Sequence, residues 1–214
     1  MSRTIDFEIL ELLASKICHD LISPIGAVNN GLEILEDVDP DSLQEVTELI
    51  AFSAGQASAK LQAYRMAYGA GGGDTAIKPE DVYKAIESIV GEEKKIRQNW
   101  DPHAKIGPEE RPPGFAKMLI SALLLAMECL PKGGIVSVQA GKDNEVIVAA
   151  EGDNAGPREG MAEALSLSTT RERLEPKFVH AYMSGLNALH YGFKISLKQK
   201  SANSVGFSLI PPAA

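Results

Sequence analysis

Two long helical patterns separated by a short break most strongly limit what this chain can fold into. In the first, apolar residues recur every three or four positions over 10–35, which is the spacing of one face of an α-helix. The second has the same spacing over 43–68. Pro40 lies between them and disfavours helical conformation at Asp39. The sequence therefore predicts two long helices that fold back on each other as an antiparallel hairpin.

An isolated hairpin of this kind cannot bury both of its apolar stripes. We therefore expect it to dimerise into a four-helix bundle. A glycine-rich stretch at 69–74 predicts a flexible linker, so the expected domains are a hairpin at 1–70 and a second domain at 74–214. The second domain mixes helical and strand patterns, which predicts an α+β fold. Its expected helices are 79–98, 115–130 and 176–191, and its expected strands are 135–140, 145–150, 193–199 and 205–210.

Charge and cysteine content exclude several classes of protein. Lys and Arg number 21 against 29 Asp and Glu, a net charge of −8, which argues against a general nucleic-acid binder. Two cysteines, Cys18 and Cys129, are too few for a disulfide scaffold. No apolar run is long enough to span a bilayer, and the first residues lack the apolar core of a signal peptide. We expect a soluble cytoplasmic protein that binds neither nucleic acid nor membrane.

His19 is the residue in the first helix with the clearest chemical potential. At about 100° per residue it lies roughly 200° around the helix from the stripe residue Ile17, so it points outward. An exposed imidazole on a rigid helix can act as a nucleophile or acid–base group; a solvated surface histidine is the alternative. Pro24 has no N–H and leaves the Asp20 carbonyl without its helical donor. Such an unfavourable feature beside His19 indicates a site.

The residues after His19 carry a family resemblance. His19-Asp20 followed by Ser23-Pro24 resembles the H-box of dimeric sensor histidine kinases, in which the histidine accepts a phosphoryl group. The longer segment 18–35 closely resembles the ChpT-type histidine phosphotransferases of alphaproteobacteria. That resemblance covers essentially the whole chain but is sharp only in the first helix. It implies a helical-hairpin dimerisation domain followed by a degenerate histidine-kinase ATPase-like α/β sandwich domain.

The second domain departs from the ATP-binding motifs of histidine kinases. Leu125-Ala126 stands where those kinases have Asn-Ala, and leucine offers no hard oxygen ligand for Mg²⁺. The segment 151–157 is an altered form of Asp-x-Gly-x-Gly, and 165–175 has no glycine for an ATP lid. These changes predict a scaffold domain that does not use ATP, and a chain that binds no cofactor of its own.

The resemblance also implies a reaction and its partners. His19 would accept a phosphoryl group from the aspartate of one receiver domain and pass it to that of another, with Mg²⁺ supplied by the receiver. The expected partners are receiver domains of a hybrid histidine kinase and of response regulators, and a second copy of this chain. The alternatives are an ATP-dependent histidine kinase with atypical motifs and a non-catalytic adaptor that binds receivers.

Three neighbours of His19 are candidates for roles in this transfer. Asp20 would hydrogen-bond the imidazole and orient it; a solvated surface acid is the alternative. Lys16, one turn before His19, would favour the phosphoryl group electrostatically, unless it is only a solubilising lysine. Ser23, one turn after, would contact the phosphoryl group or the receiver, and its alternative is a bond to the helix backbone.

Small residues in both helices predict where a receiver helix would dock. Folding the helices about Asp39 places His19 near Ala59, where small side chains leave room for another helix. Packing inside the four-helix bundle is the alternative use of these residues. The predicted partner-binding residues are Ile22, Gly26, Asn30, Gly55 and Ala59.

Overall fold

The computed structural model describes residues 7–37, 39–69, 75–93, 95–170 and 173–213. Its first two elements are α1 (Phe7–Leu35) and α2 (Leu43–Tyr68), which pack side by side as the predicted antiparallel hairpin. Positions 70–74 of the predicted linker lie outside the described residues.

The two helices approach each other closely at a glycine of α1. A Cβ atom built on Gly31 would lie 2.5 Å from Cγ1 of Ile50 on α2, so a larger residue fits there only if the Ile50 side chain or α2 moves. Gly26, on the same helix, has no atom within 4 Å of such a Cβ. One face of α1 is therefore packed against α2, and another is open.

The rest of the chain forms a five-stranded sheet with helices packed on it. The strands lie in the order β1-β2-β3-β5-β4; β1 is parallel to β2, and the other neighbours are antiparallel. The strands are β1 (Ile96–Gln98), β2 (Gly134–Ala140), β3 (Val146–Glu151), β4 (Lys194–Ser201) and β5 (Ser204–Ile210). The helices are α3 (Pro79–Glu93), α4 (Phe115–Glu128), α5 (Met161–Leu165) and α6 (Val179–Tyr191). The predicted α+β character is confirmed.

One predicted helix is too long. The helix expected over 79–98 ends at Glu93, and β1 follows it as a short strand parallel to β2. The Gln98 side chain then donates hydrogen bonds back to the carbonyl of Tyr83 and the carboxylate of Glu87 on α3. Pairing with β2 and these tertiary bonds outweigh the local helical pattern.

The end of α2 enters the core of the sheet-containing part. Ala63 and Ala67 have no exposed surface and belong to one hydrophobic cluster that includes α3 and α4. Lys117 on α4 is 4% exposed and donates to the carbonyl of Gly69 at 2.8 Å, which places a cation at the negative end of the α2 dipole. The Asn187 amide on α6 donates to the Ala67 carbonyl at 3.3 Å. These contacts hold the hairpin and the sheet-containing part together.

Candidate functional site

His19 projects from the middle of α1 with 86% of its side chain exposed. The outward orientation predicted from helical geometry is therefore confirmed. Its Nδ1 atom lies 3.3 Å from Oδ1 of Asp20, the next residue along the helix. The carboxylate thus faces one ring nitrogen and leaves the other, Nε2, toward solvent.

Asp20 is held more firmly than His19, since its side chain is only 15% exposed. Its Oδ2 atom accepts hydrogen bonds from Nζ of Lys16 at 2.6 Å and from the hydroxyl of Tyr64 on α2. Burial alone would raise the pKa of Asp20, but the bonds from Lys16 and Tyr64 outweigh burial and hold that pKa below its usual value. Asp20 is therefore a carboxylate at neutral pH.

The charge of Asp20 determines which nitrogen of His19 can react. A carboxylate only accepts hydrogen bonds, so a bond to His19 requires the imidazole proton on Nδ1. In the neutral imidazole, Nε2 then carries the free electron pair. The arrangement therefore presents a nucleophilic nitrogen on the exposed side of the ring.

A cleft of about 550 Å³ lies between His19 and the sheet-containing part. The 3-10 turn Pro176–Phe178, which leads into α6, packs against α1 and forms part of its wall. Arg158 and Lys177 line it on that side, opposite Lys16 on α1. These three cations outnumber the two carboxylates of the lining, Asp20 and Glu128, so the cleft has a net positive charge that favours a phosphoryl group there. The lining residues are Ser15, Lys16, His19, Asp20, Glu128, Arg158, Pro176 and Lys177.

A row of rings connects the Asp20 side of the site to the second domain. The Tyr64 ring lies 5.6 Å from the Tyr68 ring, centroid to centroid, and Tyr68 meets the His180 ring edge-on at 5.7 Å. His180 is 2% exposed, and its Nδ1 lies 3.3 Å from Oε1 of Glu128 at the end of α4. Burial raises the pKa values of both tyrosines. Their hydroxyls therefore stay protonated at neutral pH and can act as hydrogen-bond donors.

The predicted docking residues differ in accessibility. Ile22 is 71% exposed, Ser23 and Asn30 are exposed, and Gly55 on α2 is partly buried. Ala59 is 4% exposed and belongs to the hydrophobic core, which does not fit its predicted docking role. Its methyl group is buried in the cluster that also contains Ile9 of α1, so it is not available to line an open groove.

Tyr64 falls within the helical pattern over 43–68, but that pattern does not indicate its contact with Asp20. Side chains on a helix tilt toward the helix N terminus. In an antiparallel pair, therefore, two long side chains meet although their backbone positions are offset. Folding the two helices about Asp39 predicts that Ala59 lies opposite His19. Because of this tilt, the side chain that reaches the site belongs to Tyr64 instead. The sequence does contain one signal of this contact, a tyrosine within an apolar stripe. A buried tyrosine hydroxyl requires a hydrogen-bond partner.

The positions expected to bind ATP in a kinase have a different environment here. Leu125 has no exposed surface and packs in the hydrophobic core.

Within the described ranges, no group of three or more His, Cys, Asp and Glu side chains is arranged to hold a metal ion. The described helices include none long and apolar enough to cross a membrane.

Comparison with known proteins identifies the family. The family model of the histidine phosphotransferase C-terminal domain matches residues 79–203, and the chain belongs to this family. It is 32% identical over 201 residues to the protein phosphotransferase ChpT of Brucella abortus (strain 2308), with 92% of each chain covered. A solved structure described as a bacterial phosphotransferase superposes with a TM-score of 0.77 at 32% identity, covering 97% of this chain and 98% of the other. The resemblance found in the sequence is confirmed, and the kinase and adaptor alternatives are not favoured.

Proposed function

We propose that this chain relays a phosphoryl group between the aspartates of two receiver domains through a phosphohistidine on His19. The observation that carries the proposal is an exposed imidazole with a carboxylate on its Nδ1 side. Nε2 is then free to react and accessible to a partner protein. Transfer of this kind depends mainly on positioning and on charge neutralisation.

The first step forms one bond and breaks one. The Nε2 electron pair attacks phosphorus of the receiver's aspartyl phosphate, and the bond from phosphorus to the aspartate oxygen breaks. The aspartate leaves as a carboxylate with that electron pair, while the proton on Nδ1 stays beside Asp20. In the second step a carboxylate oxygen of the next receiver attacks phosphorus, and the electron pair of the P–N bond returns to Nε2.

Each partner supplies different charges to this reaction. In this proposal the receiver brings the Mg²⁺ that it needs, and the transfer takes neither metal nor ATP from this chain. Lys16, Arg158 and Lys177 line the same cleft as His19 and favour the phosphoryl charge there. Ser23 lies on the exposed side of α1 one turn after His19, where it can contact the phosphoryl group or the receiver.

The receiver would dock along the face of α1 that continues from His19. Ile22, Gly26 and Asn30 lie one turn apart on this face, and Gly26 leaves open space for an approaching helix. Gly55 on α2 extends the predicted surface. We expect Ile22→Asp to weaken receiver binding about tenfold or more without lowering the melting temperature, because the Ile22 side chain is 71% exposed.

A second copy of the chain is the proposed occupant of the remaining apolar surface of the hairpin. Leu10, Ile25 and Leu32 on α1 and Leu43 and Leu61 on α2 are between 46% and 51% exposed. A helical hairpin whose stripe matches its own copy closes as a symmetric four-helix bundle. We expect Leu32→Asp to produce monomers in analytical ultracentrifugation. Leu189→Asp, at a leucine of α6 that is 56% exposed, should leave the dimer intact.

A phosphotransfer assay tests the relay directly. Wild-type protein is incubated with a radiolabelled phosphorylated receiver and Mg²⁺, and in parallel with labelled ATP and Mg²⁺. We expect label only from the receiver, and none in His19→Gln. His103→Gln is the matched control, since His103 is also exposed and lies 3.1 Å from a carboxylate, that of Glu80, but is distant in sequence from α1. Label from ATP alone would identify a kinase, and receiver binding without any transfer would identify an adaptor.

A further inference from the structure

The orientation of His19 depends on Asp20, because the imidazole has little else to hold it. With 86% of its side chain exposed, packing does not restrict rotation of the ring. The bond to Asp20 is long, at 3.3 Å, so it orients the ring only if the carboxylate itself is fixed. Whatever holds Asp20 therefore also sets the orientation of His19.

Two side chains hold the Asp20 carboxylate, and they reach it from different helices. Lys16 lies on α1 one turn away, and its long side chain is flexible. Tyr64 reaches across from α2 with a rigid ring and one hydroxyl. A contact from the second helix fixes the carboxylate relative to the hairpin as a whole, which a neighbour on the same helix cannot do.

We propose that Tyr64 is a positioning residue for phosphoryl transfer: its hydroxyl anchors the Asp20 carboxylate, which then holds the proton on Nδ1 of His19 and leaves Nε2 outward. This inference rests on the proposed relay through His19. It means that an anchor on α2 determines which nitrogen of His19, on α1, is free to react. It also gives the hydroxyl of Tyr64 a role separate from that of its ring.

The second domain supports this anchor. Tyr64 stacks on Tyr68, and Tyr68 meets His180 of α6 edge-on. His180 in turn faces Glu128 of α4. The rings behind Tyr64 restrict where its hydroxyl can point, so the sheet-containing part contributes to the geometry at His19 through Tyr64.

Two tyrosines one turn apart allow the hydroxyl to be tested separately from the ring. Tyr64→Phe removes the bond to Asp20 and keeps the stacking. Tyr68→Phe is the matched control, because the Tyr68 hydroxyl is buried and has no hydrogen-bond partner among the described residues. Both variants are expected to fold, which melting curves verify.

Two measurements on these variants report the rate of phosphoryl transfer and the tautomer of His19. The rate of phosphoryl transfer from a phosphorylated receiver should fall about tenfold in Tyr64→Phe and change less than about twofold in Tyr68→Phe, with receiver affinity unchanged in both. Nitrogen-15 NMR of His19 should show mainly the Nδ1–H tautomer in wild type and in Tyr68→Phe. In Tyr64→Phe the signals should move toward the Nε2–H tautomer that an unrestrained histidine prefers. A role in packing alone would not move this tautomer equilibrium.

The outcomes separate this inference from the relay itself. If Tyr64→Phe matches Tyr68→Phe in both rate and tautomer, Tyr64 does not position His19, whereas the relay stands as long as transfer requires His19. If wild-type protein accepts no phosphoryl group, the relay fails. The tautomer measurement, which needs no receiver, still decides whether Tyr64 fixes the ring.

Discussion

Two histidine–carboxylate pairs, one on α1 and one buried in the second domain, have the same nitrogen–oxygen distance and opposite surroundings. His19 and Asp20 on α1 are 3.3 Å apart, and so are His180 and Glu128 in the second domain. His19 has 86% of its side chain exposed, whereas His180 has 3%. The pairing therefore orients both rings, but only exposure allows a ring to react with another protein. The hairpin holds the exposed pair, which is the one proposed to react, and the second domain holds a buried pair.

Removing the two rings in turn is the strongest test of this contrast. His19→Gln should lower transfer at least about 1,000-fold, because no other group in the cleft replaces the nucleophile. Its melting temperature should stay within about 2 °C of wild type, since an exposed ring contributes little packing. Receiver transfer assays and thermal unfolding measure the two effects. A large loss of stability would mean that His19 is also structural.

His180→Ala should have the opposite pattern. Removal of a buried ring leaves a cavity, so the free energy of unfolding should fall by about 2–3 kcal/mol. Transfer by the folded protein should fall by less than about tenfold, because His180 acts only through the rings behind Tyr64. Denaturant unfolding and single-turnover transfer give these values. Complete loss of transfer in folded protein would place His180 in the chemistry itself.

The two cysteines extend the comparison to a second residue type. Cys18 is exposed on α1 and Cys129 is buried at the end of α4. Burial raises the pKa of Cys129 to about 12, and the thiolate is the form that reacts. At pH 8 a thiol reagent should therefore label Cys18 at least about 100-fold faster than Cys129, as mass spectrometry of timed samples would measure. Comparable rates would show that the second domain opens readily.

Asp20→Asn should have a smaller effect on stability than His180→Ala and sharpen the comparison at the site. The pKa of Asp20 is lower in the folded chain than its usual value, so its ionised form stabilises the fold. That stability is present above the unfolded pKa of about 3.9 and is lost as pH falls through the lower, folded pKa. The free energy of unfolding of Asp20→Asn should therefore be about 1 kcal/mol lower than that of wild type at pH 8. The difference should vanish at strongly acidic pH. A difference independent of pH would contradict this assignment.

The sequence predicted the parts of the structure that depend on periodicity. The apolar stripe of α1 gave both the helix and the outward direction of His19, because helical geometry alone determines which residues share a face. It could not predict β1, which forms only through pairing with β2, or the burial of Ala59, which depends on tertiary packing. The contact of Tyr64 with Asp20 depends on side-chain tilt across two helices, so the backbone register alone did not indicate it.

The shared core at the end of α2 also bears on how the chain unfolds. Ala63 and Ala67 belong to the same hydrophobic cluster as α3 and α4, and Lys117 closes the last turn of α2. Separation of the hairpin from the sheet would expose that cluster and break the buried bond to Gly69. The two parts should therefore melt in one cooperative calorimetric transition instead of two. A fragment that begins after α2 would lack Ala63 and Ala67 of this cluster, so we expect the folding unit to include α2 as well as the residues after the glycine-rich stretch.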